Sequence, residues 1–357
     1  MPFDVREFPA GDTLREQDRN RRLISLWLFT LTFMIVIMVG LGGATRLTGS
    51  GLSIMEWAPV AGVLPPLSHG AWEKLFALYR TIPQYRLLNP DMTLSGFQHI
   101  FWLEYVHRLW GRLMGAALIL PLAWFAWRRA ISRALGVRLL GLFVLGGLQG
   151  AVGWFMVASG FDNGATAVSP PRLVAHLLLA LALYAAVLWT ALSVRRPRPR
   201  PGAPAGLRRL VAACGVLLTI TIAAGGLVAG THAGFHYNTF PLMAGRIVPA
   251  SYAAMHPFLR NLVANIAAVQ FDHRLLATLT ALLLLGTVAI GLAARPPRPV
   301  AQALAVMGVL LLVQYALGVA TLLSVVAIPL AVAHQVNAAL LLGAVLIALH
   351  QLRAERA

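Results

Sequence analysis

Four histidines carry the chemistry that can be read directly from this chain. His107 lies in Glu104-Tyr105-Val106-His107-Arg108 and His273 in Gln270-Phe271-Asp272-His273-Arg274. His176 and His334 end a second matched pair, Val174-Ala175-His176 and Val332-Ala333-His334. Each of the four stands near the start of a long apolar run. Imidazole nitrogens ligate metals, and two imidazoles facing each other across a helix bundle can hold one haem iron from both sides. A lone histidine in such a run more often bonds a neighbouring helix or relays a proton. Four at matched positions read better as two ligand pairs, His107 with His176 and His273 with His334. Zinc and copper are the competing metals, but no Asp, Cys or Met constellation accompanies the histidines.

The two pentapeptides differ in one carboxylate. Glu104 stands three residues before His107, on the same helix face, where the other copy has Gln270. A carboxylate near a membrane core is costly and usually functional. An ionisable group beside one site and a neutral amide beside the other points to chemistry at the first site only. The plainer reading is that Glu104 pairs with Arg108 at i+4. Arg108 and Arg274 follow their histidines directly and suit either haem propionates or headgroup snorkelling. Arg46 sits on the side where the charge rule disfavours it, which favours a propionate or substrate contact. His99, His232, His236 and His256 fall in outer loops and read as solvated. His69 and His350 carry no signal.

These residues must be positioned by membrane helices. Apolar residues make up 59% of the 357 and charged ones 11%, and mean hydropathy is +0.74, where a soluble domain carries about 25% charged residues. Runs of roughly 20 apolar residues span a bilayer as helices. Eight occur, at about 23–42, 101–127, 139–158, 174–193, 210–229, 271–293, 300–323 and 330–352. Their Leu/Ala content without alternation excludes barrel strands. The fold class expected is all-α and integral to the membrane.

The net charge of +17 does not signal nucleic acid. The arginines gather at the N-terminus (Arg15, Arg19, Arg21, Arg22) and between alternate helices: Arg128 to Arg138, Arg195 to Arg209, and Arg295 with Arg298. Arg353 and Arg356 close the series. Positive residues stay inside, so both termini are expected in the cytoplasm. All four histidines then lie in the outer half of the membrane. The first apolar run is too long for a cleaved signal, and acidic residues precede it. The single cysteine, Cys214, excludes an internal disulfide and a cysteine-based metal site.

A repeat organises the helices. Gln149-Gly150-Ala151-Val152-Gly153 matches Gln314-Tyr315-Ala316-Leu317-Gly318. In the outer loops, Thr45-Arg46 loosely matches Thr231-His232, and Pro59-Val60-Ala61-Gly62 matches a segment ending at Gly245. Two four-helix halves follow, 1–197 and 198–357, joined by the Arg/Pro run from Arg195 to Pro201, which cannot continue a helix. Four spans per half make the repeats parallel. In the first outer loop, Trp72 to Tyr79 suits an amphipathic surface helix.

The motifs GGATRLTGSGLS (42–53), DMTLSGFQHIFWLEYVHRLWGR (91–112), FDHRLLA (271–277) and VAHQ (332–335) resemble the haem A synthase family, in its proteobacterial and mitochondrial branch. The resemblance covers nearly the whole chain. It implies an inner-membrane oxidoreductase that converts a ring methyl of haem O to a formyl group, making haem A for terminal oxidases. It implies that His107 and His176 hold the substrate haem, that Glu104 is catalytic, and that His273 and His334 hold an electron-carrying haem b. Candidate partners are an unidentified electron donor, haem O synthase, oxidase assembly proteins and a second copy of the chain. Some bacterial members carry a cysteine pair in the outer loops; this chain has none, so a cysteine relay is excluded. The runner-up is a di-haem cytochrome b that only carries electrons, which leaves the Glu104/Gln270 difference unexplained. A transporter is third, although no broken helix marks the midplane.

Overall fold

The computed structural model describes residues 14–57, 61–162, 164–196 and 205–353. Residues 58–60 of the first loop motif, Pro197 to Pro201 of the linker, and Arg356 lie outside the described residues. The described helices are α1 (Leu14–Leu47), α2 (His69–Tyr79), α3 (Pro83–Leu88), α4 (Leu94–Trp127), α5 (Arg133–Ala158) and α6 (Pro170–Arg195). They continue with α7 (Ala205–Gly230), α8 (Asn261–Ala264), α9 (Ile266–Ala293), α10 (Arg298–Leu323) and α11 (Ile328–Gln351). No strand forms among the described residues, only one isolated bridge between Met243 and Arg246. Eight helices are long and apolar enough to cross a membrane, namely α1, α4, α5, α6, α7, α9, α10 and α11. This is the multi-pass all-α protein that the composition implies.

Local chemistry sets the helix ends. Thr93 caps α4 by accepting the Gly96 N–H, Ser132 caps α5, and Asn265 caps α9 through two N–H groups. Prolines open α6, α10 and α11, where the missing N–H costs nothing. Pro121, inside α4, has no N–H for the Ala117 carbonyl one turn back. The Trp27 indole of α1 donates to that carbonyl instead, at 2.7 Å. Without water in the bilayer core, such a carbonyl needs an internal partner.

Two helices run further than their apolar stretches. α1 continues to Leu47, so Arg46 lies in its last turn and not in the outer loop. α4 begins at Leu94, so His99, expected in a loop, is an exposed helical residue. Thr93 caps α4 early, and the aromatic face of Phe97 and Phe101 needs a partner. That partner is the expected loop helix, α2. Trp72 meets Phe101 edge-on at 4.8 Å, Phe76 and Tyr79 lie against Phe97, and Tyr79 and Phe97 are fully buried.

The core is continuous through α1, α6, α7 and α11, with Leu28, Leu188, Val211 and Val345 among its buried residues. α1 packs on α4, α6 and α11, while α7 packs on α9, α11 and α6. α5 joins α4 and α6, as α10 joins α9 and α11. Exchanging α1, α4, α5 and α6 for α7, α9, α10 and α11 thus turns each contact into another observed one.

Candidate functional site

Helix crossings bring the four histidines together in twos. His176 of α6 lies within electrostatic reach of His107 of α4, and His334 of α11 within reach of His273 of α9. These are the two pairs expected from sequence. α4 starts nearly two turns further from its histidine than α9 does, yet the pairing is the same.

Each ring is met by a glycine of a neighbouring helix. A Cβ added at Gly42 would lie 3.3 Å from His107 Nε2, and one at Gly153 would lie 2.8 Å from His176 Cε1. At Gly225 and Gly318 it would lie 3.0 and 2.9 Å from Cε1 of His273 and His334. A side chain at these positions would take the space of the ring. Gly153→Ala and Gly318→Ala are therefore expected to displace the imidazole and to lower bound haem in one half each, by about 10-fold or more. Haem content of the purified variants checks this; full content in both would contradict it.

The rings also have polar partners. His273 Nδ1 lies 3.2 Å from the Thr221 carbonyl, which fixes Nδ1 as the N–H nitrogen and leaves Nε2 for a metal. The Gln149 amide nitrogen is 3.2 and 3.3 Å from Nδ1 and Nε2 of His176. Gln314 repeats this at His334, at 3.1 and 3.4 Å. These glutamines were visible in the sequence only as a repeat; their four-residue spacing to Gly153 and Gly318 puts both on one helix face.

Glu104 is 3% exposed and accepts four hydrogen bonds. Ser53 Oγ and the Ile54 N–H donate to Oε2 at 2.6 and 2.8 Å. Arg108 donates to Oε1 from Nε at 3.0 Å and from Nη2 at 2.6 Å. Arg108 further donates to the carbonyls of Ile54 and Glu56. The Glu104–Arg108 pair therefore exists, and it clasps the loop at 53–56 onto α4.

The second half builds the same clasp with reversed polarity. Gln270 Nε2 donates to the carbonyls of Ala233 and His236 at 2.9 and 2.6 Å, and its oxygen accepts from Arg274 at 3.2 Å. Arg274 holds the carbonyls of Tyr237 and Thr239. The carboxylate faces loop donors and the amide faces loop acceptors, so neither residue fits the other's place.

The remaining sequence candidates separate. Arg46 keeps a buried Nη2 without a hydrogen-bond partner, and Arg274 a buried Nε. His232, on the exposed side of the loop, lies close enough to Arg46 to feel its charge; partial desolvation first, and that charge second, hold it below the ordinary imidazole range. His236 joins the clasp only through its carbonyl, and no contact of the His256 side chain enters either site. His350, silent in the sequence, is buried beside Ser193 and Trp189 at the other end of α11.

Whether these residues suit haem can be judged from the donors. The histidines occur as two twos, each in a glycine-relieved gap between helices, with unpartnered guanidinium nitrogens at Arg46 and Arg274. Among the described residues no group of three or more His, Cys, Asp or Glu could hold a bare metal ion. Paired imidazoles, with Arg274 beside His273 and Arg46 in the last turn of α1, would suit a haem.

The comparisons agree with this chemistry. A family model described as cytochrome oxidase assembly protein matches residues 25–346. The chain is 61% identical over 338 residues to the heme A synthase of Granulibacter bethesdensis, covering 94% of this chain and 89% of that one. It is 49% identical over 318 residues to heme A synthase 2 of Acidiphilium cryptum, covering 87% of each. It is 48% identical over 316 residues to the heme A synthase of a Methylobacterium species, covering 88% of this chain and 87% of that one. With helices, histidine pairs and this span of identity in agreement, the chain belongs to the cytochrome oxidase assembly protein family, among its heme A synthases.

Proposed function

We propose that this protein oxidises a ring methyl of haem O to the formyl group of haem A. The observation that carries the reading is the difference between two otherwise matched sites: a carboxylate, ion-paired with Arg108, beside His107 and an uncharged amide, bonded to Arg274, beside His273. It is an oxidoreductase of haem A biosynthesis with two working halves, 1–197 and 198–357. The exchange of helix contacts described above supports that division. His107 and His176 hold haem O as substrate; His273 and His334 hold a haem b, which supplies one-electron transfer when bound. Arg46 stands ready to pair with a propionate through its free nitrogen, and Arg274 through its Nε. Arg108 has most of its donors committed to Glu104 and the loop, so its propionate role is the weakest of the three.

The form of the clasp favours one of two roles for Glu104. A carboxylate has about four acceptor directions, and four donors meet Glu104. Its acceptor directions are thus all taken. It is well suited to be a fixed negative charge, stabilising positive charge that develops as the methyl carbon is oxidised. The positive-inside pattern supports cytoplasmic termini and sites toward the outer face of the inner membrane. Haem O synthase and oxidase assembly proteins are the partners this activity calls for; the electron partner is a separate protein or a membrane carrier.

The test is to express the protein in membranes that make haem O but no haem A. Haem A should appear with the wild-type chain. Unconverted haem O in the presence of fully haem-loaded protein would overturn the reading, and haem b alone would favour the pure electron carrier.

A further inference from the structure

The two glutamines that touch His176 and His334 are anchored differently. Gln314 Oε1 accepts from Asn337 Nδ2 at 2.8 Å, and Asn337 also donates to the Leu310 carbonyl at 2.9 Å. Asn337 is buried. This chain of bonds fixes the Gln314 amide with its nitrogen toward His334. Turning it over would bring two amide nitrogens together. Gln149 has no such anchor. Its Oε1 is buried without a partner, and its nitrogen donates only toward His176, to the ring and to the backbone carbonyl at 3.1 Å. Where α11 carries Asn337 three residues after its histidine, α6 carries Leu179.

An imidazole that ligates iron through one nitrogen carries N–H on the other, and that N–H usually finds an acceptor. At His273 the Thr221 carbonyl fills that part. Among the described residues, the buried side-chain acceptor left unpartnered on the glutamine that touches His176 is the oxygen of Gln149. Half a turn of its terminal torsion exchanges nitrogen for oxygen, giving up the bond to the His176 carbonyl for one from the ring N–H. We infer that Gln149 is a positioning residue for His176, whose carbonyl oxygen accepts the ring N–H opposite the iron, and that Asn337 denies Gln314 this part at His334. An accepting oxygen raises the basicity of the ligand and favours ferric iron; an amide nitrogen turned toward the ring N–H offers no such bond and leaves the ligand less basic. The Leu179/Asn337 difference thereby contributes to setting the two irons at different potentials. The inference rests on the reading that His107 and His176 hold haem.

The test is a redox titration of both haems in the purified, haem-loaded protein, with variants that move the anchor. Leu179→Asn should occupy the Gln149 oxygen and Gln149→Leu should remove it. Each should shift the first-half ferric/ferrous equilibrium toward ferrous by about tenfold, equal to 59 mV for one electron, and leave the second-half haem unmoved. Asn337→Leu should free Gln314 and shift the second-half haem toward ferric. Unchanged first-half potentials with haem retained would overturn the inference. If both first-half variants lose their haem, Asn337→Leu decides: an unmoved second-half potential overturns the inference, and a ferric shift sustains it. A first-half haem whose retention does not depend on His107 and His176 would instead refute the reading beneath it.

Discussion

Glu104→Gln should lower haem A formation by about 10²–10³-fold, the loss typical when one preorganised charge or donor is removed from a developing charge. Haem O should accumulate in its place. The substitution also has a structural consequence. Two donors from the loop and two from Arg108 converge on Glu104. Glutamine offers one oxygen, so its NH2 must face donors on one side, at about 1–3 kcal/mol for the group left unpaired. Loosening of the loop at 53–56 is thus expected together with the loss of activity. Ser53→Ala separates the two effects, because it removes one loop donor and keeps the charge. It should retain most of the activity, measured as haem A formed per bound haem. A Glu104→Gln protein working near the wild-type rate would reduce Glu104 to the partner of Arg108.

His334→Ala should abolish the low-spin haem b signal of the second half, and His273→Ala should do the same. Each leaves one imidazole where two face each other, giving a high-spin or empty site. Optical spectra of the reduced proteins check this. Unchanged spectra in both would remove the second-half ligand set. First-half haem should survive in these variants, because His107 and His176 lie on α4 and α6 and not on α9 and α11.

Much of this was legible in the sequence because it is periodic or local. The eight spans follow from hydropathy alone, and the α2 helix from the Trp72–Tyr79 pattern. The Glu104/Gln270 difference could be seen by laying one pentapeptide on the other. The pairing Glu104–Arg108 is an i,i+4 relation and equally local. What the sequence hid depends on distance along the chain. Ser53 and Ile54 reach Glu104 across about fifty residues. Asn337 looks like one more residue of an apolar helix until Gln314 is beside it. Gly153 and Gly318 show in the sequence only as the ends of a repeat, and only the fold shows that an imidazole fills the gap at each, as at Gly42 and Gly225. Helix ends were misjudged where caps, not hydropathy, decide them: Thr93 starts α4 early enough to make His99 helical.

The central claim is that the first half holds a haem the protein alters and the second half a haem it keeps. Extraction and identification of the haems from purified wild-type and His107→Ala protein tests it most directly. The wild type should yield haem b together with haem O or haem A, and His107→Ala should keep haem b and lose the others. Haem b alone in the wild type, or protein without haem, would contradict the account.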